Sequence, residues 1–331
     1  MTDNDKPQWE DLVRSTPESG FMQSWAWSSF KELEGQTVLR LGVFSDDVLC
    51  AGTIVYYVLS SVGASALEMP YGPVLPWGKA EVASQAMDLI YKELEKISAE
   101  TGAPLARIEP FIEGVLPSFM GKVIRAPLDL IPTPTLIIPI DKEDNDILAQ
   151  MTAKGRYNIK LAQKKSVEVY YAIDEDAIED FYYLFELTYH RHNFAGEPRS
   201  YFESMLRALK NDNMIRVYFS RYKGMLMGAA IAIFYGKRAT FLYGGSTSFF
   251  SSVMAAYGLH WQMMKDARAV GCCEYDFFGI APDGKPDHPY SRFSQFKFRF
   301  GGKKFVASGA HDMYFYSQLA KMWIKSIETA K

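Results

Sequence analysis

The side chains of this chain that could do chemistry lie in two segments after residue 270. The first, residues 275–279 (Tyr-Asp-Phe-Phe-Gly), is typical of a buried strand that ends at a surface, and a loop rich in proline, aspartate and glycine follows it. In the second, residues 296–302, Phe296, Phe298 and Phe300 alternate with Lys297 and Arg299. This alternation predicts a strand that buries three rings and presents two cations to a cleft. A half-buried strand with solvated charges is the alternative.

A further cationic segment, residues 154–165, contains five lysines and arginines and no acidic residue. Arg156, Lys160 and Lys164 recur at a spacing that places them on one face of a helix. The neighbouring apolar face is expected to consist of Ala153, Tyr157 and Leu161. Such a stripe is often a solvated surface, and it is also the best candidate in this sequence for contacts with phosphates.

The bulk properties narrow the class of protein. A length of 331 residues suits two domains, and the net charge of −3 means that any polyanion must meet a local patch. The three cysteines, Cys50 and the adjacent Cys272 and Cys273, form no disulfide framework and fit a reducing compartment. The N-terminus lacks a signal-peptide pattern, and no apolar run approaches the ~20 residues that span a bilayer. We therefore expect a soluble, cytoplasmic protein without a metal site.

The chain contains an internal repeat. Residues 39–43 and 49–55 match residues 215–219 and 225–231 at a constant offset, and each pair of segments reads as a hairpin. Each hairpin is followed by a Tyr-Gly segment, at Tyr71 or Tyr243, and then by a helix, predicted over 80–101 or 252–270. Each helix ends at a glycine, which tolerates a left-handed C-cap, and leads to a fourth strand.

This order of elements resembles that of a GNAT (acyl-CoA N-acyltransferase) domain. We therefore expect an α/β (α+β) protein with two tandem GNAT-like domains, each with a mixed sheet. The first domain is predicted over 1–146 and the second over 147–311, beginning with the basic helix 147–165. A C-terminal helix over 312–331 is expected to pack back on the first domain.

Several motifs in this order together resemble the Fem family of peptidoglycan aminoacyltransferases. They extend over most of the chain, and their order is more specific than any one of them. The motifs are Gln23-Ser-Trp25 with Lys31, Tyr71-Gly-Pro73, Arg107-Ile-Glu-Pro110, residues 154–162, Thr188 with Arg191, Phe194, Arg199 and Tyr201-Phe202, Tyr243-Gly-Gly-Ser246, residues 275–279 and residues 296–302. The extended charged heptads of the helical hairpin that some members carry are missing from this sequence, so it resembles the compact members.

The resemblance implies a transferase that uses aminoacyl-tRNA as co-substrate, with no other cofactor. The acceptor would be an amine on the stem peptide of a peptidoglycan precursor, either UDP-linked or lipid-linked, and the product would be an interpeptide bridge. A lipid-linked acceptor is compatible with peripheral contact at the inner membrane face. Because the amino acid is already activated as an ester, no covalent intermediate is needed.

The resemblance also assigns roles to residues. Lys297, with Phe296 beside it, is expected to be catalytic, facing the tRNA acceptor end and the developing negative charge. Lys31 and Arg199 are expected to bind the diphosphate, with Arg191 as a substitute for Arg199. The remaining expected residues are Tyr71 and Tyr243 for the peptide channel, Glu109 for the incoming amine, and Arg299, Lys160 and Lys164 for the tRNA.

Two other functions remain open at this stage. One is a CoA-dependent N-acyltransferase, although the segments nearest to a pyrophosphate-binding turn, beginning at Arg221 and Arg268, do not open a helix. The other is a non-catalytic binding protein on the same fold.

Overall fold

The chain forms two compact units. The computed structural model describes residues 1–59, 65–121, 123–192, 195–316, 320–321 and 324–325. Unit 1 comprises Met1–Thr133 and Val306–Lys331, and unit 2 comprises Pro134–Phe305. Unit 1 is therefore built from both ends of the chain.

The helices and strands of the described residues follow in chain order. The helices are α1 (Lys6–Ser15), α2 (Trp25–Leu33), α3 (Ala80–Thr101), α4 (Asp144–Ala149), α5 (Ala153–Lys164), α6 (Glu175–His192), α7 (Arg199–Leu209), α8 (Ala255–Ala269) and α9 (Ser291–Lys297). The strands are β1 (Thr37–Ser45), β2 (Val48–Leu59), β3 (Ser65–Pro70), β4 (Leu105–Glu109), β5 (Ile124–Arg125), β6 (Pro134–Pro139), β7 (Glu168–Ala172), β8 (Ile215–Tyr222), β9 (Met225–Tyr235), β10 (Arg238–Ser246), β11 (Glu274–Asp276), β12 (Lys303–Val306) and β13 (His311–Tyr314).

The two sheets share one topology. Among the described residues the strand order is β1-β2-β3-β4-β13-β5 in unit 1 and β7-β8-β9-β10-β11-β6-β12 in unit 2. In each sheet an antiparallel hairpin is followed by an antiparallel third strand and then by a parallel fourth. The next strand, β13 or β6, is again antiparallel. The predicted tandem arrangement of two similar α/β domains is confirmed.

The helix that joins the third and fourth strands packs on its sheet through an apolar stripe. In α3 this stripe includes Met87, Ile90 and Leu94, which belong to one core cluster with Leu67 and Ile108 of the strands. The helix ends at Gly102, whose φ of 73° is the left-handed C-cap expected from the sequence. Its counterpart α8 is buried in the core of unit 2 and is followed by Gly271 with a φ of 90°. The burial of these stripes fixes each helix against its parallel strand pair.

Three boundaries predicted from the sequence differ from the structure. The first unit ends at Thr133 rather than at 146, because residues 134–139 form β6 and pair with β11 of unit 2. The basic helix 147–165 is two helices, α4 and α5, and the Thr152 side chain caps α5 by accepting from the Gly155 N–H. The predicted C-terminal helix begins instead as β13, which pairs with β4, so the second unit ends at Phe305 rather than at 311. Of that predicted helix, residues 317–319, 322–323 and 326–331 lie outside the described residues.

A buried ion pair joins β13 to β4. The Arg107 guanidinium donates to both carboxylate oxygens of Asp312, at 2.7 and 2.9 Å, and both side chains are fully buried. Such a pair is weak evidence for net stabilisation, but removing one partner leaves a buried charge without its counter-ion. Any other pairing of β13 with β4 would leave one of these charges buried without its partner, so the ion pair favours the observed register of β13.

Replacing Asp312 with alanine is expected to lower the free energy of unfolding by about 3–5 kcal/mol, because Arg107 would remain charged and buried. Urea denaturation followed by circular dichroism measures this change. Lys96→Ala is the matched control, since its ion pair with Glu93 is exposed and should contribute little. Equal midpoints for the two variants would contradict the prediction.

Candidate active site

The candidate site of unit 2 lies where two parallel strands part. Strands β10 and β11 are paired only from Arg238–Thr240 to Glu274–Asp276. Beyond these residues β11 ends, whereas β10 continues beside β9 as far as Ser246. Crevices at the carboxyl ends of parallel strands are where open α/β sheets bind ligands. The first predicted segment, 275–279, runs from β11 into this opening.

Lys297 is buried at this opening, with 8% of its surface exposed. Its ammonium group donates to three backbone carbonyls, those of Phe277 at 2.9 Å, Phe278 at 3.0 Å and Gly279 at 2.6 Å. The ammonium therefore has an acceptor for each of its three protons. A developing oxyanion would be stabilised by the charge of this group at a distance, or would accept a hydrogen bond from it in place of one of the carbonyls.

The segment that carries Lys297 is helical, so the predicted strand over 296–302 is wrong. Residues Ser291–Lys297 form α9 and Phe298–Phe300 continue as a 3₁₀ turn. Phe296 and Phe300, four residues apart, therefore share a face and pack on Tyr257 of α8, whereas Phe298 is 42% exposed. So short an alternation of apolar and charged residues is compatible with a strand or with a helical turn. The packing of Phe296 and Phe300 on α8 favours the helical turn.

Burial sets the charge state of two groups in the site. Burial lowers the pKa of Lys297 to about 8, and the nearby Asp276 carboxylate opposes this shift. Burial and the charge of Lys297 lower the pKa of His260 to about 3. The imidazole of His260 is thus neutral, with its Nδ1 2.7 Å from the Tyr275 hydroxyl and its ring against Phe241 and Phe277. The site therefore combines one cation, Lys297, whose pKa is close to neutral pH, with the uncharged rings of His260, Phe241 and Phe277.

Unit 1 has a corresponding opening. Strands β3 and β4 are paired through Pro70 and Glu109 and then part. A small cavity of about 20 Å³, enough for one water molecule, is lined by Tyr71, Glu109 and Phe111 among others. The structure thus brings together two of the predicted substrate-binding residues, Tyr71 and Glu109.

The carboxyl group of Glu109 is nearly buried and accepts from the backbone N–H groups of Leu130 and Ile131, at 2.7 and 3.1 Å. Burial raises its pKa to about 8, so the acid form dominates at pH 7. An ammonium group entering the cavity would favour the ionised form. This environment differs from the solvated strand end that is the simplest interpretation of the sequence.

Of the two expected diphosphate ligands, Lys31 belongs to unit 1 and Arg199 to unit 2. The Lys31 ammonium lies 4.8 Å from the centre of the Phe30 ring. Burial raises the pKa of Glu68 to about 7, opposed by the charge of Arg107 and, to a smaller extent, that of Lys31. Arg199 begins α7 and forms an ion pair with Glu203 at 2.8 Å. Their joint action on one diphosphate stays a prediction.

Tyr243 packs in an aromatic cluster with Phe185 and Phe202, and its hydroxyl lies 3.3 Å from that of Tyr201. Burial raises its pKa to about 12. The second glycine after it, Gly245, is needed for packing, because a Cβ there would lie 2.4 Å from the backbone of α6. The substitute residue Arg191 donates to the Ser246 carbonyl at 2.9 Å, which holds the end of α6 on β10. Phe194 lies outside the described residues.

The cations predicted to bind tRNA lie on and beside α5. Lys160 and Lys164 are exposed, whereas the buried face consists of Gly155, Asn158, Ile159 and Ala162. The predicted apolar face is therefore wrong: Ala153 is exposed and Tyr157 is 64% exposed. Arg299 adjoins the start of this helix, since its carbonyl accepts from the Thr152 N–H at 3.1 Å.

Comparisons with known proteins agree with this architecture. A sequence model of the FemAB family matches residues 6–127, and one of an acetyltransferase (GNAT) domain matches residues 153–292. The lipid II:glycine glycyltransferase of Staphylococcus aureus is 20% identical, over 87% of this chain and 86% of the relative. The first part of the chain thus resembles the FemAB family, and the second part resembles a GNAT domain.

Solved structures show that the chain shares their fold. The crystal structure of FemX has a TM-score of 0.87 at 19% identity, covering 96% of this chain and 98% of that chain. A tandem GNAT protein from the clavulanic acid biosynthesis pathway has a TM-score of 0.55 at 12% identity, covering 94% and 95%. The alignment with the glycyltransferase spans 368 positions, more than the 331 residues here, so that enzyme has residues without a counterpart. This agrees with the compact form expected from the sequence.

Through His260 the folded state is expected to lose stability as the pH decreases from about 6.5 towards 3, whereas the raised pKa values of Glu68 and Glu109 act in the opposite direction. In that range the unfolded chain binds a proton on His260 and the folded chain does not. Urea denaturation at a series of pH values measures the slope of stability against pH, and His260→Gln should remove the positive contribution of His260 to that slope. His190→Gln, at an exposed histidine, should leave the slope unchanged. Parallel slopes for wild type and His260→Gln would contradict the prediction.

Proposed function

We propose that this protein transfers an aminoacyl group from aminoacyl-tRNA to an amine of the stem peptide of a peptidoglycan precursor. The observation that carries the proposal is the buried ammonium of Lys297 at the end of β11, in a chain whose residues 6–127 match the FemAB family. Support for the acceptor comes from the glycyltransferase that acts on lipid II, since the two chains align over 86% of that enzyme.

The reaction needs positioning and charge stabilisation but no protein nucleophile. The acceptor amine attacks the carbonyl carbon of the aminoacyl ester and forms a C–N bond, and the C–O bond to the tRNA ribose then breaks. The proton lost by the amine balances the alkoxide, which leaves as a ribose hydroxyl. The charge of Lys297 would stabilise the intermediate oxyanion, in a site from which rings exclude water. Neither the sequence nor the described part of the structure suggests a general base, so we assign the proton transfer to substrate or solvent.

The precursor would be bound by residues of unit 1, with Glu109 and Tyr71 at the cavity and Lys31 near Glu68. Arg199, in unit 2, is also proposed as a phosphate ligand. Lys160, Lys164 and Arg299 would contact the tRNA backbone, and the exposed ring of Tyr157 could stack on an unpaired base. Among the described residues no helix is long and apolar enough to cross a bilayer. We also propose that use of a lipid-linked acceptor would involve peripheral contact with the inner membrane face.

A CoA-dependent N-acyltransferase is the second candidate, favoured by the GNAT-domain match over residues 153–292. The connection from β10 to α8, residues 247–254, contains no glycine. Phe250 and Met254 take positive φ values of 49° and 58° there, where a phosphate-binding turn would use glycine. Bulky side chains in this connection oppose close approach of a pyrophosphate to the backbone.

Single-turnover assays with charged tRNA and either UDP-linked or lipid-linked muropeptide test the proposal. Wild type should form a peptide bond to the stem peptide, whereas Lys297→Met should reduce the rate at least about 100-fold through loss of the buried charge. Because this variant leaves three carbonyls without a donor, its folding must be verified by circular dichroism. A thermal shift with acetyl-CoA and none with muropeptide, together with no transfer, would instead support the CoA-dependent reaction.

Lys31→Ala and Arg199→Ala should each raise the KM for the precursor on the order of tenfold, because one charged contact to phosphate is lost. Steady-state kinetics at saturating aminoacyl-tRNA measure this, and kcat should change much less. Lys96→Ala in unit 1 and Arg221→Ala in unit 2 are the controls, at exposed cations with acidic partners. An unchanged KM in both test variants would remove these residues from the phosphate site.

A further inference from the structure

A buried threonine and aspartate lie directly behind the carbonyls that bind Lys297. The Oδ1 atom of Asp276 accepts from the Thr135 hydroxyl at 2.5 Å and from the Phe278 N–H at 2.8 Å. The Thr135 hydroxyl oxygen in turn accepts from the Gly279 N–H at 3.3 Å. Both side chains are almost fully buried. The two residues therefore bind the N–H groups of the same turn whose carbonyls face the ammonium.

This turn has a backbone conformation that needs support. Phe278 has a φ of 48° and Gly279 a φ of 77°. A left-handed conformation costs about 1–2 kcal/mol in a residue with a Cβ, so Phe278 would not keep it without other contacts. Strand β6 holds the turn at both ends, since Leu136 accepts from the Phe277 N–H and Pro134 from the Ile280 N–H. Between these bonds, Thr135 and Asp276 bind the left-handed residues.

The charge of Asp276 also acts on Lys297. Burial lowers the pKa of Lys297, and Asp276 is the group that opposes this. Burial raises the pKa of Asp276 itself, against the charges of Arg238 and Lys297 and its two hydrogen bonds. The other titratable side chain beside Lys297 is His260 of α8, which is neutral. Among the described residues, the Oδ2 atom of Asp276 is buried with no hydrogen-bond partner.

We propose that Thr135 and Asp276 are positioning residues for aminoacyl transfer: they hold the 277–279 turn so that its carbonyls keep the Lys297 ammonium charged and fixed at the end of β11. This inference rests on the proposed function for its kinetic consequence. The clamp itself, defined as Thr135, Asp276 and the turn 277–279, can be tested without any substrate.

The kinetic test uses Thr135→Val, which keeps the shape of the side chain and removes the hydroxyl. We expect kcat to fall about tenfold with the precursor KM unchanged, and the high-pH limb of the rate profile, near pH 8 in wild type, to move to lower pH. Thr135→Ser should restore both. Ser220→Ala, which removes a buried hydroxyl from β8 of the same sheet, is the control and should change neither.

The substrate-free test follows Lys297 by NMR in protein labelled with ¹³C-lysine, with its signal assigned by its loss in Lys297→Met. The signal should titrate near pH 8 in wild type and at lower pH in Thr135→Val and Asp276→Asn, because the ammonium loses support. Unchanged titration in both folded variants would overturn the clamp. A shifted titration with unchanged kcat and rate profile would overturn its role in transfer. If wild type transfers nothing, the proposed function fails, and the NMR result still decides whether the clamp exists.

Discussion

The candidate site depends on one interaction, the binding of the Lys297 ammonium by three consecutive backbone carbonyls. A buried cation is costly unless its protons have acceptors, and here the turn after β11 supplies them. To supply these acceptors, the turn takes a left-handed backbone at Phe278 and Gly279, and β6 holds it by hydrogen bonds at both ends. Aromatic side chains of α8 and α9 pack around the same place. Burial brings the pKa of Lys297 to about 8, so a small change in its surroundings alters the fraction of the side chain that is charged near neutral pH.

The two units use the same position for different purposes. Glu109 and Asp276 are the last paired residues of the fourth strand in each sheet, and burial raises the pKa of both carboxyl groups. In unit 1 a small cavity remains in front of the strand ends, lined by Tyr71 and Glu109. In unit 2 the ammonium of Lys297 and the surrounding rings occupy the corresponding place. A duplicated scaffold thus provides one opening suited to a polar group and another built around a fixed charge.

Each sheet contains a strand from outside its repeat: β13 follows unit 2 in the chain but joins the sheet of unit 1, and β6 precedes the repeat of unit 2. Strand β13 returns to unit 1 after the whole of unit 2, and Asp312 pairs with Arg107 across 205 residues. Strand β6 enters unit 2 before its repeat begins and contributes Thr135 to the clamp. Contacts of this range have a high entropic cost of closure, so specific buried polar bonds are needed to define their register.

The sequence by itself determined the fold class and the repeat, because hairpin periodicity, helix stripes and C-cap glycines such as Gly102 are local signals. The family motifs also led to Lys297, Glu109 and Tyr71. Only the tertiary structure decided that 296–300 is helical, since so short a run fits either period until it packs on α8. It alone placed β6 and β13 and brought Thr135 and His260 to the segment 275–279, which the sequence had already singled out. The roles of Thr135 and His260 come from long-range burial and hydrogen bonding, for which the chain around each residue carries no signal.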